Sequence, residues 1–147
     1  VDDDKFEQDF ARFTVNGGGQ ARKLAKYILA RFEEDASGKA CDPDTDPATI
    51  EHVLPENPAE EWNEMFPKDN WEDYVYRLGN LTPLEPGINR DIGNADYLRK
   101  VASYSASNYQ VTRDLATTAP AEWTPALLEA RQTTMSKRAR HLWRVSF

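Results

Sequence analysis

A chain of 147 residues is long enough for one domain with a single sizeable core, and 39% hydrophobic with 11% aromatic content marks a folding sequence rather than a disordered one. No apolar run nears the roughly 20 residues that span a bilayer, no basic-flanked apolar stretch opens the chain as a signal peptide would, and the single cysteine, Cys41, excludes an internal disulfide or a Cys-rich zinc site. A net charge of −7 weighs against nucleic-acid binding.

The charge is uneven, however. Residues 1–73 hold 8 Lys/Arg against 19 Asp/Glu (net −11), and residues 74–147 hold 10 against 6 (net +4). Electrostatic fields in about 0.1 M salt reach only about 10 Å, so a basic second half could face a polyanion while the acidic half turns away. Two ordinary solvated surfaces would give the same distribution. With Val1 in place of an initiating Met and no targeting segment, the expectation is a cytoplasmic chain, all 147 residues one domain, and the C-terminal part of a larger protein.

Asp2-Asp3-Asp4 reads as a loose acidic lead-in. Phe6, Phe10 and Phe13 carry helical spacing, which Asn16-Gly17-Gly18-Gly19 interrupts. A helix follows over 20–34, with Leu24, Tyr27, Ile28 and Phe32 on one face. The Asp/Pro-rich stretch 42–47 lacks the Gly and distal Glu of a calcium loop and reads as a turn leading into a strand over 49–54. Residues 56–76 suggest short helical turns whose aromatics cover the core. A second strand is expected over 78–84 and a loop over 86–93. Asn94 should cap a helix over 95–102, with another over 105–117. Thr124-Pro125 starts the last helix. Its stripe of Leu128, Met135, Ala139, Leu142 and Trp143 faces the core, opposite Lys137, Arg140 and Arg144. His141 reads as a packing residue. These elements define an α+β fold, a small β-hairpin and helix embedded in a mainly helical domain.

Chemistry concentrates in Ile50-Glu51-His52-Val53-Leu54-Pro55, Leu78-Gly79-Asn80-Leu81-Thr82 and Asn89. A carboxylate and an amide oxygen can hold a hard divalent cation that keeps several waters. A neutral histidine can deprotonate water at cellular pH. Glu51 and His52 are adjacent, so in a regular strand they point to opposite faces; a strand ending near Pro55 still lets both flank one site. Alone, a Glu-His pair is more often structural than catalytic.

In combination, the order Ile-Glu-His-Val-Leu-Pro, Leu-Gly-Asn-Leu-Thr-Pro-Leu, Asn89, Asn94 and then Tyr97 and Lys100 resembles the HNH (His-Me finger, ββα-metal) endonucleases. The likeness is nearest to the C-terminal nuclease domain of GmrSD-like and Ssp-type antiphage restriction proteins. It implies His52 as the base activating water, Asn80 as the residue bracing the site, and Glu51 and Asn89 as metal ligands, with Asn94 the alternative to Asn89. Because Asn stands where many HNH enzymes have His, the implied cofactor is Mg²⁺ or Mn²⁺ rather than zinc. Pro83 departs from the usual Leu. The implied activity is DNA strand nicking, with double-strand breaks from a homodimer or repeated nicks, under an N-terminal NTPase or sensor portion. Arg99 and Lys100, with Lys137 and Arg140, are the expected DNA contacts. RNA cleavage uses the same chemistry. The rival reading is a non-catalytic DNA- or protein-binding module that retains the nuclease fold.

Overall fold

The computed structural model describes residues 3–15 and 18–143. Seven helices surround one antiparallel strand pair among those residues: α1 (Asp3–Phe10), α2 (Gly19–Ser37), β1 (Thr49–His52), α3 (Glu72–Val75), β2 (Leu81–Leu84), α4 (Pro86–Ile92), α5 (Tyr97–Ser105), α6 (Gln110–Thr118) and α7 (Pro125–Leu142). The α+β class expected from sequence is the one observed. The strands pair in the register Ile50 opposite Pro83 and His52 opposite Leu81. Residues 53–80 join them as a long excursion with 3₁₀ turns at Glu60–Glu64 and Leu78–Asn80, rather than as a tight hairpin.

The period-2 alternation of a strand sorts the two faces of this pair. Ile50 and Leu81 turn towards α2, where they join Ala25, Ile28, Leu29, Phe32, Met135 and Ala139 in one core. Leu84 and Glu51 turn the other way, Leu84 joining Trp62, Tyr97, Tyr104, Trp123 and Leu128 in a second core. Thr82 is on that face too, its hydroxyl 2.8 Å from that of Thr112 in α6. Pro83 has no N–H to give the ladder, and its carbonyl accepts from the Thr112 hydroxyl.

Several elements shift from their expected places. The acidic lead-in is helical from Asp3. α2 buries Ala25, Ile28, Leu29 and Phe32 and leaves Leu24 and Tyr27 exposed. Both sets have three- and four-residue spacing, and the small Ala25 lets the helix sit close. Most of the loop expected over 86–93 is helical, α4, with Pro86 in its first turn, where a missing N–H costs no hydrogen bond. The cap of α5 is Asp96, which accepts from the Arg99 amide, not Asn94. The helix expected over 105–117 starts later, α5 running on to Ser105 and α6 starting at Gln110, its first amides accepted by the buried Glu33 carboxylate. α7 begins where expected, Thr124 accepting from the Leu127 amide. His141 is exposed; Arg144, like Asn16 and Gly17, lies outside the described residues.

Gln132 of α7 ties the fold together. Its amide nitrogen donates to the Phe10 and Phe13 carbonyls, and its oxygen accepts from the Gly79 amide and the Arg77 guanidinium. A Cβ at Gly79 would stand 2.6 Å from the Leu128 carbonyl oxygen, so glycine is what allows the turn before β2 to press against α7.

Candidate active site

An open cavity of about 760 Å³ runs beside β1 from α2 to α4. Its lining includes His52, Glu51 and Glu56, with Arg22 and Lys26 on the α2 side and Asn89 on the α4 side. His52 ends β1 on the α2 face, mostly enclosed, with its ring edge-on to Tyr76 at a centroid distance of 5.8 Å. Its Nδ1 lies 3.8 Å from Glu56 Oε1, and the Tyr76 hydroxyl donates to the other Glu56 oxygen at 3.0 Å. Burial pushes the imidazole pKa below its ordinary 6.5; Glu56 opposes that shift, and the positive charges of Lys100 and Arg22 add to it. His52 is therefore set up as a neutral imidazole near neutral pH.

One residue earlier in β1 the chemistry is different. Glu51 is buried, and its Oε2 accepts from Lys100 Nζ at 2.9 Å and from the Tyr104 hydroxyl at 2.5 Å. Burial raises the Glu51 pKa against the pull of Lys100 and Tyr104, and burial lowers that of Lys100 against the pull of Glu51. The Lys100 ammonium also donates to the His52 carbonyl. It thus anchors both the carboxylate and the backbone that carries the histidine.

Asn80 is wholly buried and spends its side chain on the loop after β1. Its Oδ1 accepts from the Leu54 amide and the Trp123 indole, and its Nδ2 donates to the Leu54 and Val75 carbonyls. The side chain fixes the backbone next to His52 and presents no free group to a substrate. Asn89 of α4 donates from Nδ2 to Thr49 Oγ1 at 2.8 Å, and that hydroxyl gives its own hydrogen to the Leu84 carbonyl. Thr49 can therefore only accept, which fixes the carboxamide orientation and leaves the Asn89 side-chain oxygen without a donor among the described residues. Asn94 also lines the cavity, its Nδ2 given to the Asn57 carbonyl.

Glu51, His52 and Asn89 thus come to one cavity, with Asn80 directly behind it. The basic residues expected to meet DNA do not. Lys100 is fully buried in the Glu51 pair, which removes it from any phosphate. Arg140 pairs with Asp3 and Glu7 of α1. Lys137 is exposed but sits with Arg140 and His141 in a separate depression. Arg99 is exposed and donates to the Asp91 carbonyl, and none of the four lines the His52 cavity. Sequence reasoning missed Glu56, Tyr76, Arg22 and Lys26. Glu56 had a faint signal, four residues after His52 across a proline; the others are brought in only by the fold.

Among the described residues no three His, Cys, Asp or Glu side chains gather as a metal cage. One carboxylate and one carboxamide oxygen suit only a hard cation that keeps most of its water. Both side-chain hydrogen bonds to Glu51 fall on Oε2, and the His52 backbone also supports the carboxylate, so it is by donor type that Glu51 and Asn89 suit such an ion. They do not make a zinc site.

A histidine poised neutral in an open polar cavity, beside a carboxylate and an unpaired carboxamide oxygen, has the make-up of a hydrolytic centre. The chain belongs to the family described as GmrSD restriction endonucleases, C-terminal domain, whose model matches residues 1–138. No curated protein gives a significant match to it.

Proposed function

We propose that this chain is a divalent-metal-dependent DNA endonuclease of the HNH type, which hydrolyses phosphodiesters one strand at a time as the effector of an antiphage restriction system. The observation that carries the reading is the His52 cavity, shared with Glu51 and Asn89, in a member of a restriction-endonuclease family. With Nδ1 turned to Glu56, the other ring nitrogen, Nε2, is the one left to take a proton from water. The resulting hydroxide attacks phosphorus, one P–O bond breaks, and the leaving alkoxide is protonated from solvent. Glu56 stabilises the imidazolium formed in that step, and Tyr76 holds Glu56 in place. A hydrated Mg²⁺ or Mn²⁺ held by Glu51 and Asn89 would supply charge stabilisation at the phosphoryl and leaving oxygens. Because Lys100 already balances much of the Glu51 charge, metal affinity should be weak.

Target recognition and nucleotide-driven control would reside in an N-terminal NTPase or sensor portion. Supercoiled-plasmid nicking with Mg²⁺ or Mn²⁺ tests the reading, and should vanish with chelator and in His52→Ala. One observation favours the rival, a binding module without turnover: Glu51 is already satisfied by Lys100 and Tyr104. Plasmid binding without any nicking in either metal would select it.

A further inference from the structure

The four basic residues that sequence assigned to DNA leave the His52 cavity without a cation from that set, yet the cavity is not without cations. Its lining contains two, Arg22 and Lys26, both on α2. They are four residues apart, which places them one above the other on the same helix face. α2 packs on both strands of the sheet, so this face has a fixed position relative to the end of β1.

Several of the protein's other cations are committed elsewhere in the fold. Arg31, Arg77, Arg138 and Arg140 sit in ion pairs, and Lys100 is buried against Glu51. Arg22 is exposed and has neither an ion pair nor a side-chain hydrogen bond among the described residues. Its planar fork of donors suits two oxygens of one phosphate. Lys26 is half-buried and gives one of its three hydrogens to the Asp46 carbonyl at 2.9 Å, which steadies the ammonium and leaves two donors. Of the carboxylates in the lining, Glu51 is neutralised by Lys100, and Glu56 is held by Tyr76 against His52. The α2 wall is therefore the positive side of a cavity in a chain of net charge −7.

We infer that Arg22 and Lys26 form a phosphate clamp, holding the nucleic-acid backbone across the cavity from Asn89 so that a phosphodiester lies beside His52. This rests on the nuclease reading above and names the substrate contacts of that site. It also moves the DNA-facing charge from the basic second half of the chain to two residues of the acidic first half.

The test is equilibrium binding of a labelled duplex by fluorescence anisotropy, in chelator, so that neither metal nor cleavage enters the readout. Each phosphate contact contributes about −0.9 to the slope of log K against log salt, or a factor of about 3.5 in affinity between about 50 and 200 mM. Arg22→Gln should make the slope shallower by about 0.9 and Arg22→Gln/Lys26→Gln by about twice that. Lys26→Arg should keep the native slope, which separates lost charge from a disturbed α2. Circular dichroism checks that each variant folds. A double variant whose slope equals that of the unaltered chain overturns the clamp, and so does a slope that falls only in Arg99→Gln or Lys137→Gln. His52→Ala should retain the native slope while losing plasmid nicking. If nicking survives in His52→Ala but the α2 variants lose slope, the base assignment fails and the clamp stands. Absence of any salt-dependent binding by the unaltered chain overturns the clamp together with the DNA substrate.

Discussion

The two faces of the short strand pair place neighbouring residues in opposite settings. On the α5 side, Glu51 is closed in with Lys100 and Tyr104, every charge met by a partner within hydrogen-bonding distance. On the α2 side, His52 opens on a cavity with Glu56 at 3.8 Å and an Arg22 that has no ion pair among the described residues. A single step along β1 passes from groups that hold the fold to groups able to act on a ligand. The two settings are joined by Lys100, whose ammonium reaches both the Glu51 carboxylate and the His52 carbonyl. The buried side thereby sets the position of the open side.

Three single variants and one double variant probe that division. The largest expected effect is at Lys100→Met, which strands a buried carboxylate and should destabilise the fold by about 3–5 kcal/mol in denaturant unfolding. Adding Glu51→Gln should recover much of that loss; equal instability of single and double variants would show that the pair acts through something other than charge. Next is Asn80→Ala, which leaves four partners at Leu54, Val75 and Trp123 unmatched and should cost about 3 kcal/mol. A loss of nicking in this variant without a loss of stability would move Asn80 from support to chemistry.

The smallest effect on stability belongs to the open side. Glu56→Gln should change unfolding by less than about 0.5 kcal/mol, but it should alter the pH profile. Burial, with Lys100 and Arg22, holds His52 below 6.5 and Glu56 opposes them, so the acid limb of nicking should lie below pH 6.5. Removing Glu56 takes away the one opposing charge, so the limb should move further towards acid. The same depressed value means that neutral His52 adds stability above its unfolded pKa, and this is lost as pH falls through the folded one. A limb moving towards neutral pH in Glu56→Gln would contradict the placement of that carboxylate.

Local signals in the sequence led to the elements whose causes are themselves local. Thr124-Pro125 marks the start of α7, and the β-prone run from Thr49 that ends before Pro55 marks β1. The Glu-His pair and the two asparagines were legible as one constellation, and the fold brings them to one cavity with Asn80 behind it. What stayed hidden depends on burial and distant partners. Nothing near Lys100 says that it will be enclosed by a residue 49 positions away. Summed charge also misled: the basic second half spends Arg138 and Arg140 on ion pairs with Asp35, Asp3 and Glu7, while the cations at the cavity come from the acidic half. α4 was missed because Pro-Gly reads as a loop opening, although proline is equally suited to a first helical turn.

Gln132 has a consequence for when the molecule can take shape. Its side chain bonds to Phe10 and Phe13, about 120 positions earlier, and to Gly79, next to the asparagine that secures the His52 loop. Contacts of such long sequence separation form late and slow the folding of a chain. During synthesis, at about 5–20 residues per second, the segments around His52 exist for several seconds before α7 has been made to brace them. The turn that carries Asn80 is therefore braced only after α7 has emerged, so the His52 loop gains its backing later than the residues that line its cavity.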